Sequence, residues 1–180
     1  MSSHPTNEPI LNYEPGSKHK SDLKKEINKQ LSEVLEIPCI VNGKKIYTNN
    51  TVTQVVPHNH KHILANVHLA GKKEIEEACK SAVKAQTDWI ALGMENRAQI
   101  FEKCADLLAN KWRMKINAAT MLNQSKTVFQ AEVDAACELI DFWKFNAHYV
   151  REFHDQYQPL VSPEGNLNTT EIRPLEGFVL

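Results

Sequence analysis

The sequence holds no apolar run approaching the ~20 residues that a membrane-spanning helix requires, so no such helix is expected. Neither sign of charge dominates: 21 Lys and Arg stand against 22 Asp and Glu, which leaves no basic surplus for nucleic acid or an anionic membrane surface. The six glycines form no G-x-G-x-x-G or Walker-type loop, so no cofactor-binding residue can be assigned from a local phosphate signature. Cys39, Cys79, Cys104 and Cys137 lie tens of residues apart without a C-x-x-C pair, and are read as reduced structural thiols rather than zinc or dithiol ligands. Residues 1–20 lack Arg and an apolar h-region and carry Glu8 and Glu14, which resembles neither a secretory signal nor an amphipathic transit peptide.

What is present fits one folded, water-soluble domain: 180 residues, 42% hydrophobic and 24% charged. The first twenty residues are rich in Ser, Pro, Asn and His without periodicity, so they read as an extended arm pinned by Pro9, Ile10 and Leu11. From Ser21, the helical spacing of Leu23, Ile27, Leu31, Val34 and Leu35 predicts an amphipathic helix closed by Pro38. Cys39–Val41 and Ile46–Tyr47 flank Asn42-Gly43, a dipeptide that accepts the positive φ angles of a tight hairpin. Residues 51–56 and 63–69 are further strand candidates, separated by a polar turn with Pro57, Asn59 and three histidines.

After Gly71 the period becomes helical. Ile75, Cys79, Ala82, Val83 and Trp89 mark one packed stripe, and Phe101, Cys104 and Leu108 mark a second over residues 97–108. Trp112, Ile116 and Ala119 open a third helix. The longest is expected from Thr127 to about Phe153, with Ala131, Ala135, Leu139, Phe142 and Val150 turned inward. Two extended pieces around Pro163-Glu164-Gly165-Asn166 suggest a hairpin, and residues 177–180 form an apolar run suited to a strand buried on both faces of a parallel sheet. Such a strand needs neighbours that the remaining segments do not supply, so the expectation is a part of a larger chain.

Two constellations invite chemistry. His58, His60 and His62 alternate, and on a strand would share one face at metal-binding spacing, but no acidic or Cys residue nearby completes a set. They are read as a turn entering a strand, and no metal ligand is assigned. Cys137 sits among Ala135, Ala136 and Leu139, an apolar setting that suppresses thiolate formation, so it is a poor nucleophile and no catalytic residue is assigned. Trp89, Trp112 and Trp143 fit core packing better than base stacking.

Residues 124–147, QSKTVFQAEVDAACELIDFWKFNA, closely resemble the segment before the catalytic half of the delta-1-pyrroline-5-carboxylate (glutamate-gamma-semialdehyde) dehydrogenases of the aldehyde dehydrogenase superfamily. NEP at 7–9, IPCIVNGKKIYT at 37–48, NRAQIF at 96–101 and LEGFV at 175–179 follow in the same order.

The resemblance implies an α/β fold: the helical and edge-strand part of an NAD-binding domain plus an oligomerisation hairpin, ending before the main parallel sheet. The implied division is an extended arm at 1–20, a helix-rich portion at 21–153, the hairpin at 154–174 and the start of a core strand at 175–180. It implies an NAD-dependent oxidation of L-glutamate gamma-semialdehyde in proline catabolism, with the nucleophilic cysteine and other catalytic groups downstream of position 180, so this chain alone would be inactive. A homo-oligomer joined through 154–174 and a mitochondrial matrix location are further implications, with the cytoplasm as the alternative compartment. One site residue is carried over: Glu132 of the QAE motif matches the family glutamate that lines the aldehyde entrance tunnel. From its residues alone, Glu132 would pass as a solvated helix position. Ser125 stands where many relatives have Gly, at a turn that calls for positive φ. The rival reading is a non-enzymatic module that pairs with full-length subunits through its hairpin and exposed strand.

Overall fold

The computed structural model describes residues 4–156 and 161–179. An extended arm leads into α1 (Lys18–Leu31), whose amino terminus is capped by Ser17 accepting from the Lys20 amide. The helix therefore starts a turn before Ser21, because the hydroxyl that satisfies a free amide is Ser17. It also stops at Leu31 rather than running to Leu35. Ile37 precedes Pro38 and is biased to extended backbone, and Leu35–Ile37 becomes strand β1.

β2 (Cys39–Val41) and β3 (Lys44–Ile46) form the expected hairpin, with Asn42 at φ 50° and Gly43 at φ 72° in the turn. β4 (Thr51–Val56) and β5 (Asn59–His68) are antiparallel, and β5 is also joined by β1 in parallel, with Leu35 opposite Ala65. The sheet order is thus β1-β5-β4. The turn before β5 is shorter than expected, so His60 and His62 lie on the strand itself while His58 remains in the turn.

Gly71 ends the sheet and caps α2 (Lys72–Ala91), which is followed by α3 (Gly93–Leu107). The expected packed stripe on α2 is not buried: Ile75 and Val83 are half exposed, and no residue of α2 is fully covered. A π-helical segment, π1 (Leu108–Trp112), joins α3 to α4 (Arg113–Gln124). α4 ends at Ser125, whose φ of 54° places it in the left-handed region, as the comparison with Gly at this turn suggested.

The long helix begins at Thr127, whose hydroxyl accepts from the Gln130 amide. Short α5 (Val128–Gln130) passes into a second π-helical segment, π2 (Ala131–Cys137), and then α6 (Glu138–Gln156). α6 includes residues 154–156, so the helix overruns the boundary set at 153; its i,i+4 bonding continues through Phe153 to Gln156.

The π segment also turns the buried face. Ala131 and Glu132 are buried together, then Ala136 and Cys137, five residues later; Ile140 and Ala147 follow. This five-residue step is the i→i+5 repeat of a π-helix, and it leaves Phe142 and Val150 outside. Ala105, Leu108, Ala136 and Ile140 form a core cluster where π1 and π2 pack, with Ile116 and Trp143 against it.

Beyond the helix, Asn166 donates its amide to Pro163 O at 3.0 Å in the expected turn, but residues 161–175 carry no strand ladder among the described residues. Residues 1–3 of the arm, 157–160 of the expected hairpin and Leu180 of the terminal run lie outside the described residues. Gln86 donates to the carbonyls of Leu175 and Gly177, holding that segment near α2, while Val179 is 85% exposed.

Candidate functional site

Two π-helical segments set the site. Arg113 is the first residue after π1, and Glu132 lies inside π2, so packing of the two segments brings the side chains together in the interior. Arg113 is 2% exposed and Glu132 0%. A buried charge is tolerated only when paired and hydrogen-bonded, and both conditions are met.

Glu132 Oε1 accepts from Arg113 Nε at 3.1 Å, from Arg113 Nη2 at 2.5 Å and from the Leu11 amide at 2.7 Å. Its Oε2 accepts from the Tyr13 hydroxyl and from Asn117 Nδ2, each at 2.7 Å. Five donors therefore fill the acceptor sites of one carboxylate. Glu132 is not a solvated helix residue.

The other side of the Arg113 guanidinium reaches the arm. Nη1 donates to Glu8 Oε1 at 2.6 Å and Nη2 to Pro9 O at 2.7 Å. Glu8 Oε2 accepts from Lys144 Nζ at 2.7 Å, and the Glu8 amide and Asn7 Nδ2 donate to the Asp141 carboxylate at 2.7 and 2.8 Å. The arm is thus fixed by ionic and polar contacts from residues 7–13. The expected pins included Pro9 and Leu11, which do take part through backbone atoms, while Ile10 is half exposed.

Burial by itself pushes the Glu132 carboxyl up, but the hydrogen bonds from Arg113, Leu11 and Tyr13, with the Arg113 charge, outweigh it and hold the group below the usual carboxylate range. Glu8 behaves alike: burial raises it, and Lys144 and Arg113 bring it lower. The Tyr13 phenol is pushed well above its ordinary value by burial and by donating to Glu132, so it remains a donor. Burial also pushes the Cys137 thiol up to about 11, which makes it unfit as a nucleophile. Asn117 Oδ1 is buried without a hydrogen-bond partner, at the edge of the same cluster.

The three histidines do not converge. His58 Nδ1 lies 2.7 Å from Ser125 Oγ, His60 is exposed and His62 is half buried on β5. No group of three or more His, Cys, Asp or Glu able to hold a metal occurs among the described residues. The cysteines are unpaired: Cys137 is buried, and Cys39, Cys79 and Cys104 are half buried.

At the junction of β5 and α2, Gly71 donates its amide to the Glu74 carboxylate at 2.9 Å, so an internal anion already occupies that helix amino terminus. No residue here is assigned to NAD. Arg113, Asn117, Tyr13 and Lys144 were not singled out from the sequence. Arg113 and Asn117 fall on an ordinary helical stripe, and the arm has no period to read; an Arg on an apolar face was the one available signal.

Residues 46–180 match the model of the aldehyde dehydrogenase family. The chain is 44% identical over 176 residues to a delta-1-pyrroline-5-carboxylate dehydrogenase of Agaricus bisporus, covering 97% of this chain and 32% of that protein. It is 42% identical over 173 residues to the mitochondrial delta-1-pyrroline-5-carboxylate dehydrogenase of Homo sapiens, covering 96% and 30%. A crystal structure of the Mycobacterium tuberculosis delta-pyrroline-5-carboxylate dehydrogenase, bound with NAD and cobalamin, superposes with a TM-score of 0.92 at 40% identity over 97% of this chain and 32% of that one. The chain spans about a third of the length of the curated relatives it matches.

Proposed function

The chain belongs to the aldehyde dehydrogenase family, and from that premise we propose that it is the amino-terminal portion of an enzyme that oxidises L-glutamate gamma-semialdehyde to glutamate. The net reaction consumes the aldehyde, NAD and water and yields the carboxylate, NADH and protons. The observation that carries this reading is the similarity to delta-1-pyrroline-5-carboxylate dehydrogenases over nearly the whole chain, from a fungus to a vertebrate. NAD binding is taken from the relatives' structures. When bound, NAD supplies the hydride acceptor, and no residue described here is given a step with it.

In this reading the described residues supply scaffold, entrance wall and subunit contact. The half-exposed apolar residues of α2 and α3, such as Ile75, Val83 and Phe101, support it, because a face of that size is suited to packing against further protein. Segment 154–174, with 154–156 as the end of α6, would join subunits in a homo-oligomer. The mitochondrial matrix is the proposed compartment, since several relatives are labelled mitochondrial.

Glu132 is proposed to serve the aldehyde entrance. Its acceptor sites are filled from within, so its part is to shape the wall by fixing the arm and α4 to π2, rather than to bind substrate directly. The test is direct: NADH formation from 1-pyrroline-5-carboxylate is measured at 340 nm for the full-length protein and for residues 1–180 alone. Turnover is expected from the first and none from the second. Turnover by residues 1–180, or none by the full-length protein, overturns the reading.

A further inference from the structure

An open cleft of about 430 Å³ lies between arm residues 10–14 and the start of the long helix at Val128 and Phe129, one turn before Glu132. Its far wall presents Phe129, which is 65% exposed. Its near wall is the arm, and Tyr13 belongs both to this wall and to the hydrogen-bonded shell of Glu132. The arm backbone at Leu11 is tied to the same carboxylate.

From this we infer that the arm is part of the entrance wall and that Tyr13 is a positioning residue for Glu132, acting on how the aldehyde is admitted. The inference rests on the reading that Glu132 serves the entrance. Tyr13 donates to Glu132 Oε2 and at the same time accepts from Asn117 Nδ2 at 3.1 Å, so a single hydroxyl fixes the carboxylate, the arm and α4 together. Phenylalanine fills the same volume but removes one of the five bonds to the carboxylate, and with it the link through that hydroxyl to the arm and α4. The carboxylate keeps Arg113, the Leu11 amide and Asn117 but loses its tie to the side chain that lines the cleft, so the arm wall opposite Phe129 is held less firmly. Charge adds to this. Glutamate semialdehyde carries a carboxylate, and Glu132 is acceptable near its path only while Arg113 and the neutral donors keep its charge turned inward.

The experiment is a double-mutant cycle in the full-length dehydrogenase, with Tyr13→Phe, Glu132→Gln and the pair assayed for kcat and KM toward 1-pyrroline-5-carboxylate. Tyr13→Phe is expected to raise KM roughly fivefold, equivalent to about 1 kcal/mol, with kcat within about twofold. In the Glu132→Gln background the same change should have little further effect, because its route of action is gone. Thermal denaturation of each variant confirms that the folded enzyme is being compared. An unchanged KM for Tyr13→Phe, or an effect that adds fully to that of Glu132→Gln, overturns the inference while leaving the role of Glu132 intact. A Glu132→Gln enzyme with unaltered KM and kcat overturns the underlying reading of Glu132, and this inference with it.

Discussion

Arg113 and Glu132 stand 19 residues apart in sequence, yet their side chains meet in the interior, Nε to Oε1 at 3.1 Å, because two π-helical segments pack where they begin and end. Their pairing joins three separate pieces of chain: the arm, α4 and the long helix.

Removing one partner of this pair should cost more than removing both. Glu132→Ala leaves the buried guanidinium with Glu8 as its remaining carboxylate and its Nε unpaired, and is expected to destabilise the protein by about 3 kcal/mol. Replacing both, as Arg113→Met with Glu132→Leu, should recover much of that loss. Urea denaturation of the single and double variants gives the comparison, and equal midpoints for Glu132→Ala and the double variant would contradict it.

Ser125 holds a left-handed φ of 54° while its Oγ contacts His58. Ser125→Ala keeps the backbone cost and loses the contact; Ser125→Gly loses the contact but relieves the backbone. Glycine should therefore be the more stable of the two by about 1 kcal/mol, from the left-handed penalty on residues with a Cβ. Their melting temperatures, measured side by side, decide the order.

Acid should release the arm. The native carboxyls of Glu8 and Glu132 lie below the ordinary value, so the unfolded chain binds more protons than the native one between the two values. The stability they contribute is present above the ordinary glutamate pKa of about 4.3 and is lost as pH falls below it toward the native values. Hydrogen exchange at the Leu11 amide, which donates to Glu132, should accelerate in that window relative to the α3 amides. Protection of Leu11 that persists unchanged to pH 2 would refute this.

Cys137 should resist alkylation in the native protein. It is 5% exposed, and its thiol is pushed up to about 11 by burial, whereas Cys39, Cys79 and Cys104 are half buried. Iodoacetamide at pH 8 followed by peptide mass mapping should label those three ahead of Cys137, and labelling of Cys137 should require denaturant.

Local chemistry made part of this fold readable. Asn42-Gly43 announced its hairpin because few other dipeptides accept two positive φ angles, and Ser125 announced a strained turn through the glycine it replaces. The helices at 72–91 and 128–156 followed from their apolar period. The buried face of the long helix followed only in part: Leu139 packs against the core, but a π segment shifts the phase of a 3.6-residue period, and Phe142 and Val150 fall outside. Glu132 was reached through the resemblance of its motif, while Arg113, Asn117 and Tyr13 were missed. Their partners lie as far as 119 residues away, and no short-range pattern encodes such a meeting. The parallel pairing of β1 with β5 was missed on the same grounds.

The docking of residues 7–13 has a consequence for the order of assembly. Leu11 waits for a carboxylate 121 positions later, and Glu8 for a lysine 136 positions later, so residues 7–13 settle only after both partner helices have emerged. Until then this stretch has no partners for its polar groups but water, which its prolines, asparagines and histidines suit. It then seals a bundle that has already formed, like a clasp fastened after the case is shut.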